Sequence, residues 1–395
     1  MNVLASCPAC GGTELTSFLS WDGVPVHSCL LVADEREAVE FPRGDLNLVF
    51  CEGCGLIANQ AFDPAHNDYS SRYEETQAFS AVFRDFSRHL AKEWVDRYDL
   101  TGKRVVEIGC GKGEFLVDLA EQGIGRGVGI DPGVHPERID TAFADRLTWV
   151  SGFFPADWPE LDADAVVCRQ TLEHIAPVGE FMRTIRRAIG DRTDTVVLFQ
   201  LPDVLRVLTE GAFWDVYYEH CTYFSVGSLT RLFRATGFEV LDVARVYDDQ
   251  YLVVEARPSA VPAPGALLPI EDDIEELRAT VHRFAARLAA VSGRWRAETA
   301  RVRAAGGRTV IWGSGSKGVS FLAALGAGAD AVDAAVDINP HRQGAYMAGT
   351  GHRIIAPADL VGLDPQLVIA MNPAYRDEIA DELAAQGVHT RLEVL

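Results

Sequence analysis

Apolar residues along this chain follow two rhythms, and the change from one to the other is its first structural signal. Between Tyr73 and Tyr98 the run YEETQAFSAVFRDFSRHLAKEWVDRY places them three and four apart, which predicts a helix. From Lys103 onward, short β-branched runs alternate with helical stretches, and KRVVEI, GVGID, LTWVSG, AVVCR and TVVLFQLP are the predicted strands. That alternation predicts a parallel α/β sheet. After a helix in SVGSLTRLFRATG, the runs FEVLDVARVY and QYLVVEARP follow with only a brief turn between them. They predict an antiparallel hairpin ending the sheet.

On either side the texture differs. The chain up to about Asn67 reads as loop-rich and cysteine-bearing, and RPSAVPAPGALLP reads as a proline-rich linker. A long helix with charged and apolar faces follows; its heptads are irregular, so it is expected to pack on its own chain rather than in a coiled coil. A second α/β block opens at GRTVIWGSGSKG. The expected division is therefore 1–67, 68–258, 259–306 and 307–395, with the 259–306 segment as linker and connecting helix.

Composition adds limits. The 395 residues carry a formal net charge of -21, so nucleic acid and anionic membrane surfaces meet a repulsive field and are not expected as partners. Small anions need a local positive pocket. The N-terminal residues lack a basic region followed by an apolar run, and no stretch is long and apolar enough to span a bilayer, so a cytoplasmic protein is expected. Oligomeric state is not legible.

Eight cysteines are present, four of them as CPAC (Cys7, Cys10) and CEGC (Cys51, Cys54), each followed by glycine. Two such turns can present four thiolates to a structural zinc ion, leaving no position open for catalysis. The competing reading is a redox pair, but no thioredoxin-like unit surrounds either motif.

The turn VVEIGCGKGEF follows a strand and opens a helix, with Gly109, Gly111 and Gly113 in place of a GxGxxG pattern. A nicotinamide dinucleotide is one possible ligand of such a turn. Glu107 near the strand's end and Asp131 after the next strand fit S-adenosylmethionine better: Glu107 toward its ammonium, Asp131 with its neighbour Pro132 toward the ribose hydroxyls. The final hairpin points the same way, to a class I methyltransferase core. Gly152, Phe153, Arg169, Gln170 and Thr171, at the ends of the third and fourth strands, are candidates for the adenine. His174, in LEHI, stands on the substrate side.

The segment FWDVYYEHCTYFS, Phe213 to Ser225, comes directly after the fifth strand, at the carboxyl edge where open α/β sheets bind ligands. Methyl transfer to carbon needs a base that makes the carbon nucleophilic, and a histidine beside a carboxylate can serve. His220 is the candidate base, Glu219 the residue orienting it and Tyr217 a donor to the developing oxyanion. Tyr218 and Tyr223 are candidate acceptor contacts. Packing of the aromatics with a solvated rim is the alternative.

The order of these features resembles the C-methyltransferases of nucleotide-linked keto-deoxysugars, over nearly the whole chain: a four-cysteine module, EIGCGKG, EH..YFS, and a terminal block with WGSGSKG, VDINPHRQGAYMAGTGHRI and NP.Y..EI. The resemblance implies active-site roles for Tyr217, Glu219 and His220 with the histidine as base, a place near substrate for His174, and a tyrosine after the zinc module, Tyr69 or Tyr73. It also implies a class I Rossmann-like core flanked by an N-terminal zinc-binding module and a second, C-terminal Rossmann-like α/β domain. The chain departs from that family at Tyr218, at DDQYLVV and at AMNPAY. An aromatic or indole-type acceptor therefore stands beside the sugar.

The second turn, WGSGSKG, is a true GxGxxG with Asp337 ending the next strand. It can cradle the substrate's phosphates with Lys317 near the helix start and Asn372 and Tyr375 as neighbours, hold NAD in an oxidoreductase, or hold nothing. A zinc-bearing scaffold without catalysis is the remaining class.

Overall fold

The computed structural model describes residues 4–66, 69–70, 72–156, 161–259 and 267–395. The expected boundary at 67–68 and most of the proline-rich linker, 260–266, lie outside the described residues. No helix among the described residues is long and apolar enough to cross a membrane.

The N-terminal region holds more regular structure than its sequence suggested. Strands β1 (Leu15–Pro25) and β2 (Arg43–Cys51) pair antiparallel, and β3 (Ile57–Asn59) continues the sheet. Register shifts between Ser17 and Leu19 and between Trp21 and Val24 break the alternation in β1, which is why the pattern reads as loop. The fourth strand is β9 (Thr222–Tyr223), taken from the FWDVYYEHCTYFS segment. One end of that segment thus belongs to the N-terminal sheet.

The central sheet has the expected form. Strands β4 (Arg104–Ile108), β5 (Arg126–Ile130), β6 (Leu147–Val150), β7 (Ala165–Arg169) and β8 (Val196–Pro202) run parallel. The hairpin β10 (Phe238–Val246) and β11 (Tyr251–Pro258) joins antiparallel through β11, giving the order β10-β11-β8-β7-β4-β5-β6. The helix Ala81–Arg97 starts at Ser80, whose hydroxyl accepts from the Phe83 amide, and it buries Leu90, Ala91, Trp94 and Val95.

The C-terminal sheet is parallel throughout, in the order β14-β13-β12-β15-β16, from β12 (Thr309–Trp312), β13 (Ala334–Val336), β14 (Ile354–Ile355), β15 (Leu367–Ala370) and β16 (Arg391–Val394). The long helix Ile274–Ala304 packs on β1 and on the helices Val204–Glu210 and Ser316–Leu325, as a connector within its own chain.

One apolar cluster joins these parts. It contains Leu46 and Phe50 of the N-terminal sheet, Phe213 and Tyr218 of the 213–225 segment, Leu277 and Phe284 of the connecting helix, and Ile311, Phe321 and Leu322 of the C-terminal block. Each large side chain buried there contributes about 1.5–3 kcal/mol. The N-terminal sheet and the C-terminal block are held against each other across the 213–225 segment.

Candidate active site

The four cysteines of the two CxxC motifs converge. Their sulfurs all lie within 4.8 Å of one another, with Cys7 and Cys54 at 3.5 Å and Cys10 and Cys51 at 3.6 Å. The turns that bring them there need a left-handed residue, and Gly11 and Gly55, both at φ +76°, supply it.

The first glycine turn forms the floor of a cavity of about 740 Å³ at the carboxyl edge of the central sheet. An added Cβ at Gly109 would meet Thr171 Oγ1 at 2.0 Å, and one at Gly113 would meet the Trp149 ring at 2.7 Å. Glu107, Gly109, Gly111, Asp131, Pro132, Gly152, Phe153, Arg169, Gln170 and Thr171 all line this cavity; Gly113 does not, and it opens the helix that follows the turn. Asp131 accepts the amides of Gly111 at 3.0 Å and Gly133 at 2.7 Å, so it braces the turn as well as facing the space. Glu107 Oε2 and Gln170 Nε2 are buried without a hydrogen-bond partner, and burial pushes the Glu107 carboxyl up to about 8. Arg169 stacks 3.8 Å over the Phe115 ring and donates to Gln200.

Next to the glycine turn stand the groups of the 213–225 segment. His220 Nε2 is 2.9 Å from the Tyr217 hydroxyl, and the His174 ring meets the His220 ring edge-on at 4.8 Å. Tyr69 bonds His174 Nδ1 at 2.9 Å, and Tyr73 packs against Tyr69. Both tyrosines, both histidines and Tyr217 line the cavity. Burial lowers His174 to about 4 and His220 well below its usual value, so both imidazoles are neutral.

The expected pairing of Glu219 with His220 is corrected. The Glu219 carboxylate instead accepts from His27 Nδ1 at 2.9 Å, from the Ser28 amide at 2.8 Å and from the Ser28 hydroxyl. Burial alone would raise Glu219; these bonds and the nearby histidines outweigh it and hold it low. The acid facing His220 is Glu173, 3.9 Å from Nε2.

Two further expectations change. Tyr218 points into the core, where its hydroxyl accepts the Asp63 amide and its ring packs on Phe62. Tyr223 donates to the Tyr217 carbonyl and lines neither cavity. Nearness in sequence misled both: a turn at Tyr218–Glu219, closed by the His220 amide on the Tyr217 carbonyl, separates Tyr218 from His220, and Tyr223 is held in β9 against Ile57. His27 and Ser28 escaped notice because no motif marks them, and Glu173, although inside LEHI, was passed over in favour of its neighbour His174.

A second cavity of about 560 Å³ lies beside the first and shares Cys29, Glu75, Gln170, Tyr217 and Ser316 with it. Gly313, Gly315, Gly318, Lys317, Asn372 and Tyr375 line it as expected. Lys317 is not a spare charge: it pairs with Asp215, which also holds Arg206 at 2.6 Å. Tyr375 donates to Gln77, and Asn372 accepts from Gln250.

Residues 77–243 match a methyltransferase domain, and residues 263–390 match the C-methyltransferase C-terminal domain. The C-methyltransferase NovU of Streptomyces niveus is 30% identical over 391 residues, covering 95% of this chain and 91% of the relative. The chain belongs to this family of S-adenosylmethionine-dependent C-methyltransferases. Ribosomal protein L11 methyltransferase of Aliivibrio salmonicida is 40% identical to this C-methyltransferase over 85 residues, 20% of this chain and 28% of that one. A solved 1,6-didemethyltoxoflavin-N1-methyltransferase of Burkholderia thailandensis aligns with 46% of the C-methyltransferase and 89% of its own chain, at 20% identity and a TM-score of 0.35.

Proposed function

We propose that this C-methyltransferase alkylates a carbon beside a ketone, in a nucleotide-linked 4-keto-deoxysugar, and that His220 removes the proton. The observation carrying this reading is the contact between His220 Nε2 and the Tyr217 hydroxyl on the wall of a cavity whose floor is the first glycine turn. A neutral buried imidazole can accept a proton from carbon, and a phenol 2.9 Å away can turn to donate to the enolate oxygen. His174, Tyr69 and Tyr73 wall the acceptor. Glu219 positions the His27–Ser28 wall.

S-adenosylmethionine supplies the methyl group when bound. Its class fits the first cavity: the buried Glu107 carboxyl and Asp131 suit its ammonium and ribose, the glycine floor admits the methionine part, and Pro132, Phe153, Arg169 and Gln170 surround the adenine. The second cavity, with Lys317, Asn372 and Tyr375, takes the nucleotide. That division of labour keeps 68–258 as the methyltransferase core and 307–395 as the Rossmann-like acceptor-binding domain. The four cysteines hold a structural zinc in the 1–67 module; zinc–sulfur bonds of about 2.3 Å place tetrahedral sulfurs roughly 3.8 Å apart, close to the spacings found here.

One observation favours a second acceptor class. Lys317 pairs with Asp215, and Arg206 pairs with both Asp215 and Glu210, so two acids already balance these two cations of the second cavity, which suits an uncharged aromatic scaffold better than a diphosphate. An NAD-dependent oxidoreductase has the family's reaction against it.

The deciding experiment combines S-adenosylmethionine titration with deuterium uptake into a nucleoside-diphosphate-linked 4-keto-6-deoxyglucose. Uptake at one sugar carbon, lost in His220→Asn while cofactor binding persists, is expected. Uptake that survives the substitution removes His220 as base; absence of uptake in the native enzyme removes the sugar.

A further inference from the structure

Glu173 is the least satisfied acid near the chemistry. Its side chain is 2% exposed, and neither carboxyl oxygen has a hydrogen-bond partner. Burying such a group without a partner costs free energy, so a carboxyl kept in this position calls for a function. Its place is tightly determined. The turn Leu172–His174 follows β7, and the Glu173 carbonyl accepts from Thr222 Oγ1 at 3.3 Å and from Cys221 Sγ at 3.5 Å, which locks the turn to the strand that follows His220.

Geometry singles out its partner: His220 Nε2 lies 3.9 Å from Oε1, within ion-pair range. Burial pushes Tyr69, Tyr217, Cys168 and Cys221 above their usual values and lowers both His174 and His220, so a proton on His220 needs an anion beside it. Glu219, which the motif suggested for this task, is committed to His27 and Ser28.

We propose that Glu173 is the positioning residue for the proton on His220: its carboxylate balances the imidazolium that forms when the acceptor carbon loses its proton. The inference rests on the reading of His220 as base. In the step, the carbon–hydrogen bond breaks, the proton goes to His220 Nε2, and the electron pair becomes the enolate that takes the methyl group from the sulfonium, leaving a neutral thioether. Charge balances: the positive charge gained by the imidazole matches the negative charge of the enolate, which the sulfonium's positive charge then cancels on methyl transfer, leaving a carboxylate–imidazolium pair.

Burial holds the Glu173 carboxyl at about 8, so its anion appears as pH rises through that value. An opposite charge within about 4–6 Å shifts a titrating neighbour by about 1–3 units, which corresponds to ten-fold or more in the population of the charged base.

The test is a titration of the full chain labelled at histidine ¹³Cε1, between pH 6 and 10, with His220→Asn to assign the signal. In the native enzyme the His220 resonance is expected to step near pH 8, and in Glu173→Gln the step disappears. Methyl transfer, or deuterium uptake by the ketosugar, is expected to rise through the same pH and to lose that limb, with about ten-fold or greater loss at pH 8.5, in E173Q. Glu173→Asp, which keeps the charge further away, should retain a displaced step and guards against a folding defect in the glutamine variant. A His220 step unchanged in E173Q, or none in the native enzyme, overturns the proposal. If deuterium uptake survives in His220→Asn, the base reading fails, which is distinct from the loss of Glu173 alone.

Discussion

Replacing Glu219 by glutamine separates architecture from chemistry in the site. The carboxylate is 1% exposed and accepts three hydrogen bonds, two from Ser28 and one from His27. An amide of the same shape keeps one acceptor oxygen and turns an NH₂ group toward a donor the second oxygen had served. Both Ser28 bonds fall on one oxygen and can be kept by the amide, so the loss is the His27 bond together with the charge, on the scale of breaking a buried charged pair, about 3–5 kcal/mol. For a urea slope of about 3 kcal/mol/M the midpoint should fall by roughly 1–1.7 M. The assay is urea unfolding followed by tryptophan fluorescence at pH 7. Glu219 is held below its unfolded value, so its contribution is present above about pH 4.3 and is lost as pH falls further. The gap between native and variant should therefore narrow in acid. A midpoint within about 0.3 M of the native one at pH 7, with an unchanged slope, would show that His27 and Ser28 do not depend on this acceptor and would refute the reasoning.

Three further outcomes are expected. Gly113→Ala places a methyl 2.7 Å from the Trp149 ring at a backbone φ of +84°, so it should lower the unfolding midpoint and weaken S-adenosylmethionine in a calorimetric titration; native affinity would count against the turn's role. Elemental analysis of the native protein should find about one zinc per chain, and Cys51→Ser should lose the ion and destabilise the N-terminal sheet; a metal-free native protein that unfolds as a single cooperative unit would exclude the zinc. Because Glu173 binds its proton more tightly folded than unfolded, its contribution to stability falls as pH rises from about 4.3 toward 8, by up to about 1.4 kcal/mol per unit. Urea midpoints at pH 5 and 7.5 should thus differ less in E173Q than in the native enzyme, and an equal difference would remove Glu173 as the source.

What could be read from the sequence followed local rules. The β-branched runs of the central sheet, its closing hairpin and the glycine turn after β4 each depend on residues within a few positions of one another, and the structure contains all of them. Strand β1 was hidden because two bulges interrupt its alternation, and β9 because two residues make no pattern. The partners within the site were hidden for a different reason. His27 meets Glu219 across 192 positions, and Lys317 meets Asp215 across 102, distances at which no spacing rule operates. Adjacency favoured Glu219 as partner of His220, while the geometry gives that position to Glu173, in the turn after β7.

The placement of β9 bears on how the enzyme assembles. During synthesis the first three strands of the N-terminal sheet emerge long before the fourth, which lies at Thr222–Tyr223, and the helix Ser316–Leu325 that covers Phe213 emerges later still. Contacts of such long sequence separation form late, since the loops that join them must close first. His220 therefore reaches its working position near the end of folding, and a nascent or truncated chain can contain a finished central sheet while its base still lacks the surroundings that set its proton affinity.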